Sequence, residues 1–185
     1  MDEAPSVTLK RPILTLRDAG PDDSAAIAAI YGPEVLAGTA SYEFAAPDPT
    51  EMRRRLTEVQ AAGLPWLVAE HDGRVAGYAY ASPFRTRPAY RHTVENSVYV
   101  AEWARGRSVA SMLMGELISR CTALGHRRMV AVIGDRRNVA SIALHRRHGF
   151  LEVGAIPGAG AKFGGWLDLM IMQRPLGDGS DLPPP

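Results

Sequence analysis

The stretch Thr93–Ala123, TVENSVYVAEWARGRSVASMLMGELISRCTA, decides the fold. Its first eight residues alternate, with Thr93, Glu95, Ser97 and Tyr99 on one face of an extended segment and Val94, Val98 and Val100 on the other. A turn containing Gly106 follows, and apolar residues then recur at helical spacing to about Leu124. A helix start behind a flexible turn presents unpaired N–H groups and a partial positive charge. Arg105, Gly106, Arg107, Ser108, Val109 and Ala110 are therefore a candidate cradle for a pyrophosphate. The turn is not a Walker loop, because no Gly-Lys-Ser/Thr follows, and it lacks the Gly-x-Gly-x-x-Gly spacing of a dinucleotide fold. On local spacing alone, an ordinary capped turn with Ser108 as N-cap explains it equally well.

Outward from this stretch the hydrophobic period switches repeatedly between about 2 and about 3.6, the mark of a mixed α/β domain. Toward the N-terminus, Ile13 to Arg17 reads as a strand and AAIAAIYGPEVL as a helix that Pro33 should kink or end. A second helix fits Thr50 to Ala62, capped by Asp48 or Thr50, with Gly63 just past its end. Asp72-Gly73 between Trp66–Glu70 and Val75–Ser82 predicts a hairpin of antiparallel neighbours. Beyond the opening stretch come a strand from Met129 to Ile133, a helix from Asn138 to His148 closed by Gly149, and strands at Leu151–Val153 and Trp166–Gln173. The order is βααββ, then βαβαββ. A length of 185 residues implies one domain, residues 13–176, with a flexible extension over 1–12 and a flexible tail over 177–185.

Composition narrows the partners. Twenty-one Lys and Arg against 20 Asp and Glu leave a net charge of +1, which gives no long-range field for nucleic acid or an acidic membrane. No apolar run approaches the roughly 18 residues that span a bilayer, and no secretory signal layout opens the chain, so the cytoplasm is the expected compartment. The single cysteine, Cys121, shares an apolar face with Leu113, Leu117 and Leu124, which favours packing over nucleophilic catalysis. The five histidines show no metal-ligand spacing, and no metal is expected.

Several polar residues fall where chemistry could be done. A partly buried carboxylate at Glu95 can act as a general base toward an ammonium group; its alternative is a surface or ion-paired glutamate. Asn138, Ser141 and His145 lie within about 60° on one helix face, a polar stripe facing something polar. Arg85 and Arg87 can clamp a carboxylate and Tyr90 can add a third contact, although a solvated basic loop accounts for all three.

Four blocks carry a family resemblance: LPWLVAE (64–70), GYAYASPFRTRPAYRHTVENSVYV (77–100), MVAVIGDRRNVASIALHRRHGF (129–150) and KFGGWLDLMIMQRPL (162–176). Together they resemble the phosphinothricin and methionine sulfoximine N-acetyltransferases of the GNAT superfamily, over about Leu14 to Leu176. The superfamily's loop pattern is Gln/Arg-x-x-Gly-x-Gly/Ala; Arg105 and Ala110 match it, and Ser108 stands where glycine is expected. A serine fits there only if the backbone needs no positive φ.

The resemblance implies an α/β (α+β) GNAT-like domain, its central mixed and mostly antiparallel twisted sheet flanked by helices and splayed between the TVENSVYV strand and the next. It implies direct acetyl transfer from acetyl-CoA, as co-substrate, to the primary amine of a small amino-acid-like substrate of phosphinothricin, methionine sulfoximine or methionine sulfone type. By the same resemblance, Val98, Tyr99 and Val100 offer backbone groups to the pantetheine, 105–110 hold the pyrophosphate, and Asn138 and Ser141 contact the coenzyme. Glu95 and His145 handle protons, Arg85, Arg87 and Tyr90 hold the substrate's acid end, and Phe44, Tyr80 and Gly134 line its cavity. Arg136 and Arg137 either reach the coenzyme's 3′-phosphate or belong to a solvated loop. A homodimer is implied, with the segment around Trp166 to Met172 contributing. Two other functions compete: a protein or peptide N-acetyltransferase, and a module that binds acyl-CoA without catalysis.

Overall fold

In the computed structural model, which describes residues 14–177, Asp72 and Gly73 both take positive φ, 52° and 77°. That left-handed pair is what a two-residue hairpin turn needs, and it joins β2 (Trp66–His71) to β3 (Arg74–Pro83) as antiparallel neighbours. β1 (Leu14–Asp18) pairs antiparallel with β2, and β4 (Thr93–Val100) with β3. β5 (Arg128–Ile133), β6 (Leu151–Lys162) and β7 (Gly165–Pro175) complete one seven-stranded sheet in the order β1-β2-β3-β4-β5-β7-β6. Only β4 and β5 run parallel.

Helices α1 (Ser24–Leu36), α2 (Pro49–Ala61), α3 (Val109–Ala123) and α4 (Val139–Arg147) cover the sheet. Strand alternation decides which face each takes. A side chain at Gly77 would meet Val109 and Leu113 of α3, whereas the next residue, Tyr78, stacks on Trp66 and Tyr99, and Tyr99 meets Tyr31 of α1 edge-on. Thus α3 and α1 lie on opposite faces. Between the sheet and α3 the core is aliphatic, with Leu67, Leu113, Leu117 and Cys121 fully buried, and burial pushes the Cys121 thiol up to about 12. That matches a packing role.

Asp48 caps α2 by accepting from the Glu51 N–H at 2.8 Å, as its position before Pro49 suggests. Two expectations need correction. Of the two outcomes expected at Pro33, a kink or an end, the end does not occur: helix α1 continues to Leu36 and closes with the Ala37 N–H on the Pro33 carbonyl. Proline removes only its own N–H from the ladder, so one bond is lost and the next turn still forms. The strand expected at Leu151–Val153 is far longer, and runs to Lys162. Its small residues and Pro157 are tolerated because β6 is an edge strand whose register shifts between Ile156 and Gly160, so residues 157–159 need no regular ladder partner. The ends expected to be flexible, 1–12 and nearly all of 177–185, lie outside the described residues. No helix among the described residues is long and apolar enough to cross a membrane.

Candidate active site

Parallel pairing of β4 with β5 begins at Thr93↔Arg128 and ends at Asn96↔Ala131. Beyond that point Ser97–Val100 pair only with β3, and Val132–Ile133 only with β7, so the sheet opens. The Ala101 N–H donates to the Ala76 carbonyl across β3, so by alternation the backbone groups of Tyr99 and Ser97 also face β3. Those of Val98 and Val100 face the opening. A cavity of about 680 Å³ occupies it, lined by Ser97–Val100, by the turn before α3 and by one side of α4. Arg105, Gly106, Ser108, Val109 and Ala110 all reach this cavity, as do Gly134, Asn138, Ser141 and His145. Arg107 is exposed and is not part of its lining.

The turn itself departs from expectation. Gly106 has φ 74° and Ser108 φ 63°, so the position that usually belongs to glycine does require the left-handed conformation, and the serine adopts it. Ser108 occupies the N-cap of α3, yet its side chain makes no capping bond. Val109, Ala110 and Ser111, the first residues of α3, line the cavity, so the unpaired N–H end of the helix and the positive end of its dipole lie at the cavity wall. Arg105 is paired at 2.6 Å with Glu34 of α1, and these two residues also border a second cavity of about 540 Å³.

On α4, Asn138 is a true N-cap, its Oδ1 accepting from the Ser141 N–H at 3.1 Å. His145 is 3% exposed. Its Nε2 is 3.0 Å from Oδ1 of Asn96 on β4, and its Nδ1 is 2.8 Å from the Ser141 carbonyl oxygen. Asn96 donates from Nδ2 to the Val130 carbonyl at 3.0 Å, which orients the amide so that Oδ1 accepts from His145. Burial lowers the His145 pKa below its ordinary value. Asn96, absent from the residues singled out in the sequence, thus ties α4 to both split strands. At the far end of α4, His148 Nε2 meets the hydroxyl of cavity-lining Ser111 at 2.9 Å and links α4 to α3.

Glu95 lies on the other face of β4, beside Ser97 and Tyr99. It is half-buried, and burial raises its pKa, while the positive charge of Arg85 acts against the rise. Tyr80 stacks on Trp66 with centroids 4.1 Å apart and is hydrogen-bonded through its hydroxyl to Ser97. A second group here escaped the sequence. The Tyr31 hydroxyl donates to Glu43, the Tyr99 ring meets the Tyr31 ring edge-on with centroids 4.9 Å apart, and Arg55 grips Glu43 with two bonds of 2.7 and 3.0 Å. These residues come from α1, the following segment, α2 and β4, and only the tertiary fold unites them.

The remaining candidates are exposed. Arg85 lies over the Phe84 ring at 4.4 Å, Tyr90 meets that ring edge-on, and Arg87 precedes the short turn Pro88–Tyr90. Phe44 is 75% exposed. Arg137 clasps Asp135 at 2.9 Å, and Arg136 stands 3.6 Å from Asp168, so both guanidinium groups already face carboxylates.

A split parallel pair, a left-handed turn opening onto a helix start and a connected cavity thus lie together at one end of the sheet. The sequence profile of the acetyltransferase (GNAT) family matches residues 18–150. The chain belongs to this family. As a GNAT enzyme it is an N-acetyltransferase, with acetyl-CoA as co-substrate. It is 49% identical over 173 residues to the phosphinothricin N-acetyltransferase of Alcaligenes faecalis, covering 94% of this chain and 88% of that one. With the L-methionine sulfoximine/L-methionine sulfone acetyltransferase of Salmonella typhimurium it shares 38% over 163 residues, covering 88% and 95%. A solved GNAT phosphinothricin acetyltransferase from Sinorhizobium meliloti, in complex with AcCoA, superposes with a TM-score of 0.89 at 47% identity and 93% coverage of each chain.

Proposed function

We propose that this GNAT enzyme acetylates the primary amine of a small amino-acid-like substrate of phosphinothricin, methionine sulfoximine or methionine sulfone type, by direct transfer in a ternary complex. The observation that carries the proposal is the placement of Glu95, half-buried on β4 at the split and electrostatically coupled to Arg85. A base beside a cation that can hold a carboxylate suits a substrate carrying both an amine and an acid. The relatives named for such substrates support the same class.

In this account residues 105–110 hold the pyrophosphate through backbone N–H groups, and Val98 and Val100 offer their free backbone groups to the pantetheine. Glu95 takes a proton from the substrate ammonium. The amine nitrogen then forms a bond to the thioester carbonyl carbon, and a β4 backbone N–H stabilises the oxyanion. The C–S bond breaks, and the departing thiolate takes the proton that the acetylated nitrogen loses. His145, donating from Nε2 to Asn96 Oδ1, positions the cavity wall through Asn96. Arg85, Arg87 and Tyr90 receive the substrate's acid end. A homodimer belongs to the same proposal, because the outer edge of β6 exposes Leu151, Val153 and Ile156 and the adjoining β7 exposes Trp166.

The test is a thiol-release assay with acetyl-CoA against phosphinothricin, methionine sulfoximine, methionine sulfone, ordinary amino acids and peptides. Turnover confined to the amino-acid analogues is expected. Turnover only with peptides, or none with any amine, contradicts the proposal.

A further inference from the structure

Lys162, the last residue of β6, is 5% exposed and forms no ion pair among the described residues. Its Nζ donates to three backbone carbonyls instead: Val35 at 2.6 Å, Ser41 at 2.8 Å and Gly38 at 3.0 Å. All three ammonium protons are thereby used, and one acceptor lies at the C-terminal end of α1, where carbonyl dipoles favour a cation. The bonds gather the segment that follows α1 around a single buried charge.

The same segment is anchored twice more. Thr39 donates to Asp135 at 2.9 Å, and the Tyr42 hydroxyl donates to the Gly134 carbonyl at 2.6 Å. The Tyr42 ring fills space that only glycine leaves free: a Cβ on Gly134 would come within 2.9 Å of it, and one on Gly160 would intrude further still. Between these anchors Ala40 lines the acyl-donor cavity beside Gly134. Ser41, also between them, and Glu43, just after, bond to Tyr31 on the face of the sheet that carries Glu95. The segment therefore borders both sides of the split.

We infer that Lys162 and Tyr42 are positioning residues for the amine substrate, clamping residues 37–44 against β6 and the end of β5 so that this segment forms one wall of the amine approach. Neither touches the reacting atoms, and the inference rests on the acetyl-transfer function proposed above. The pyrophosphate turn lies on a different connection, between β4 and α3, and meets the end of α1 through the exposed Arg105–Glu34 pair rather than through Lys162 or Tyr42.

Lys162→Met keeps the length of the side chain and removes the three donors; Tyr42→Phe keeps the ring and removes one. Leu67→Ala, in the core between β2 and α3, serves as a stability control. The measurements are amine KM, kcat and acetyl-CoA Kd, with hydrogen–deuterium exchange of residues 37–44. Misplacement of a substrate wall predicts an amine KM raised about tenfold in Lys162→Met and about threefold in Tyr42→Phe, with acetyl-CoA Kd within about twofold. Exchange over 37–44 should quicken in both, while Leu67→Ala lowers the melting temperature without moving either constant. Unchanged amine KM in both variants overturns the inference, as does unchanged exchange. If Lys162→Met fails to fold, Tyr42→Phe decides alone. If the wild-type enzyme acetylates no amine, the proposed function fails and the substrate role falls with it, while exchange still reports whether the clamp exists.

Discussion

His145 Nε2 lies 3.0 Å from Asn96 Oδ1, on the face of β4 opposite Glu95. The two residues expected to share proton handling therefore project from opposite faces of β4, with His145 at the cavity wall and linked through Asn96 to the strand. Replacing Asn96 by alanine leaves His145 Nε2 without its partner in a buried site, a loss of about 1–3 kcal/mol. A double-mutant cycle with His145→Phe should show strong coupling, the pair costing less than the sum of the singles. Additive losses in denaturant melts would break the link.

Arg85 favours the charged form of Glu95, so removing it should move the acid limb of the kcat/KM profile to higher pH. Loss of a carboxylate clamp should also raise the KM of an acid-bearing amine about tenfold or more. A profile and KM for Arg85→Ala that match wild type would remove Arg85 from the site.

Ser108 holds φ 63° without a capping bond in return. Glycine relieves left-handed strain but costs more chain entropy on folding, so Ser108→Gly should gain about 0.5–1 kcal/mol, net. Melting temperature should rise by about 1–4 °C, with coenzyme affinity unchanged. Weaker coenzyme binding in this variant would instead show that the hydroxyl donates to phosphate.

Acidification should destabilise the protein in two stages. Burial holds His126, His145 and His148 below their ordinary 6.5. As pH falls through that value the unfolded chain takes up protons that the folded chain resists, so the stability present above it is lost on descent. The carboxylates of Asp23 and Glu43 are held low by Arg17 and Arg55, and Arg137 holds Asp135 at about 2. Their contribution persists to lower pH and is lost as pH falls from about 4 toward 2. Glu95, raised by burial, works in the opposite sense. Urea midpoints should drop between about pH 7 and pH 5; a flat profile there would contradict the histidine account.

The strand-turn-helix of Thr93–Ala123 was legible because alternation, a glycine turn and helical spacing are local properties. The hairpin at Asp72-Gly73 was legible for the same reason. Alternation also put Glu95 opposite the apolar face of β4, but the place of α4 over that apolar face depends on how layers stack, so the separation of Glu95 from His145 was hidden. Asn96 carried a signal that could have been used: it is the polar residue that interrupts the valines of a buried face. Lys162 and the Tyr31–Glu43–Arg55 group carried none, since each depends on residues distant in the chain meeting in space. The length of β6 was obscured by glycines and Pro157, which an interior strand would exclude and an edge strand accepts.

The central claim is that Glu95 is the base that activates a small amine for direct acetylation. It is tested most directly by single-turnover and steady-state thiol release from acetyl-CoA, comparing Glu95→Gln with wild type at saturating methionine sulfone near neutral pH. Loss of a general base predicts a kcat lower by about 100-fold or more, with acetyl-CoA Kd changed by less than about twofold. A kcat within about threefold of wild type, or a loss that follows coenzyme binding, would contradict it.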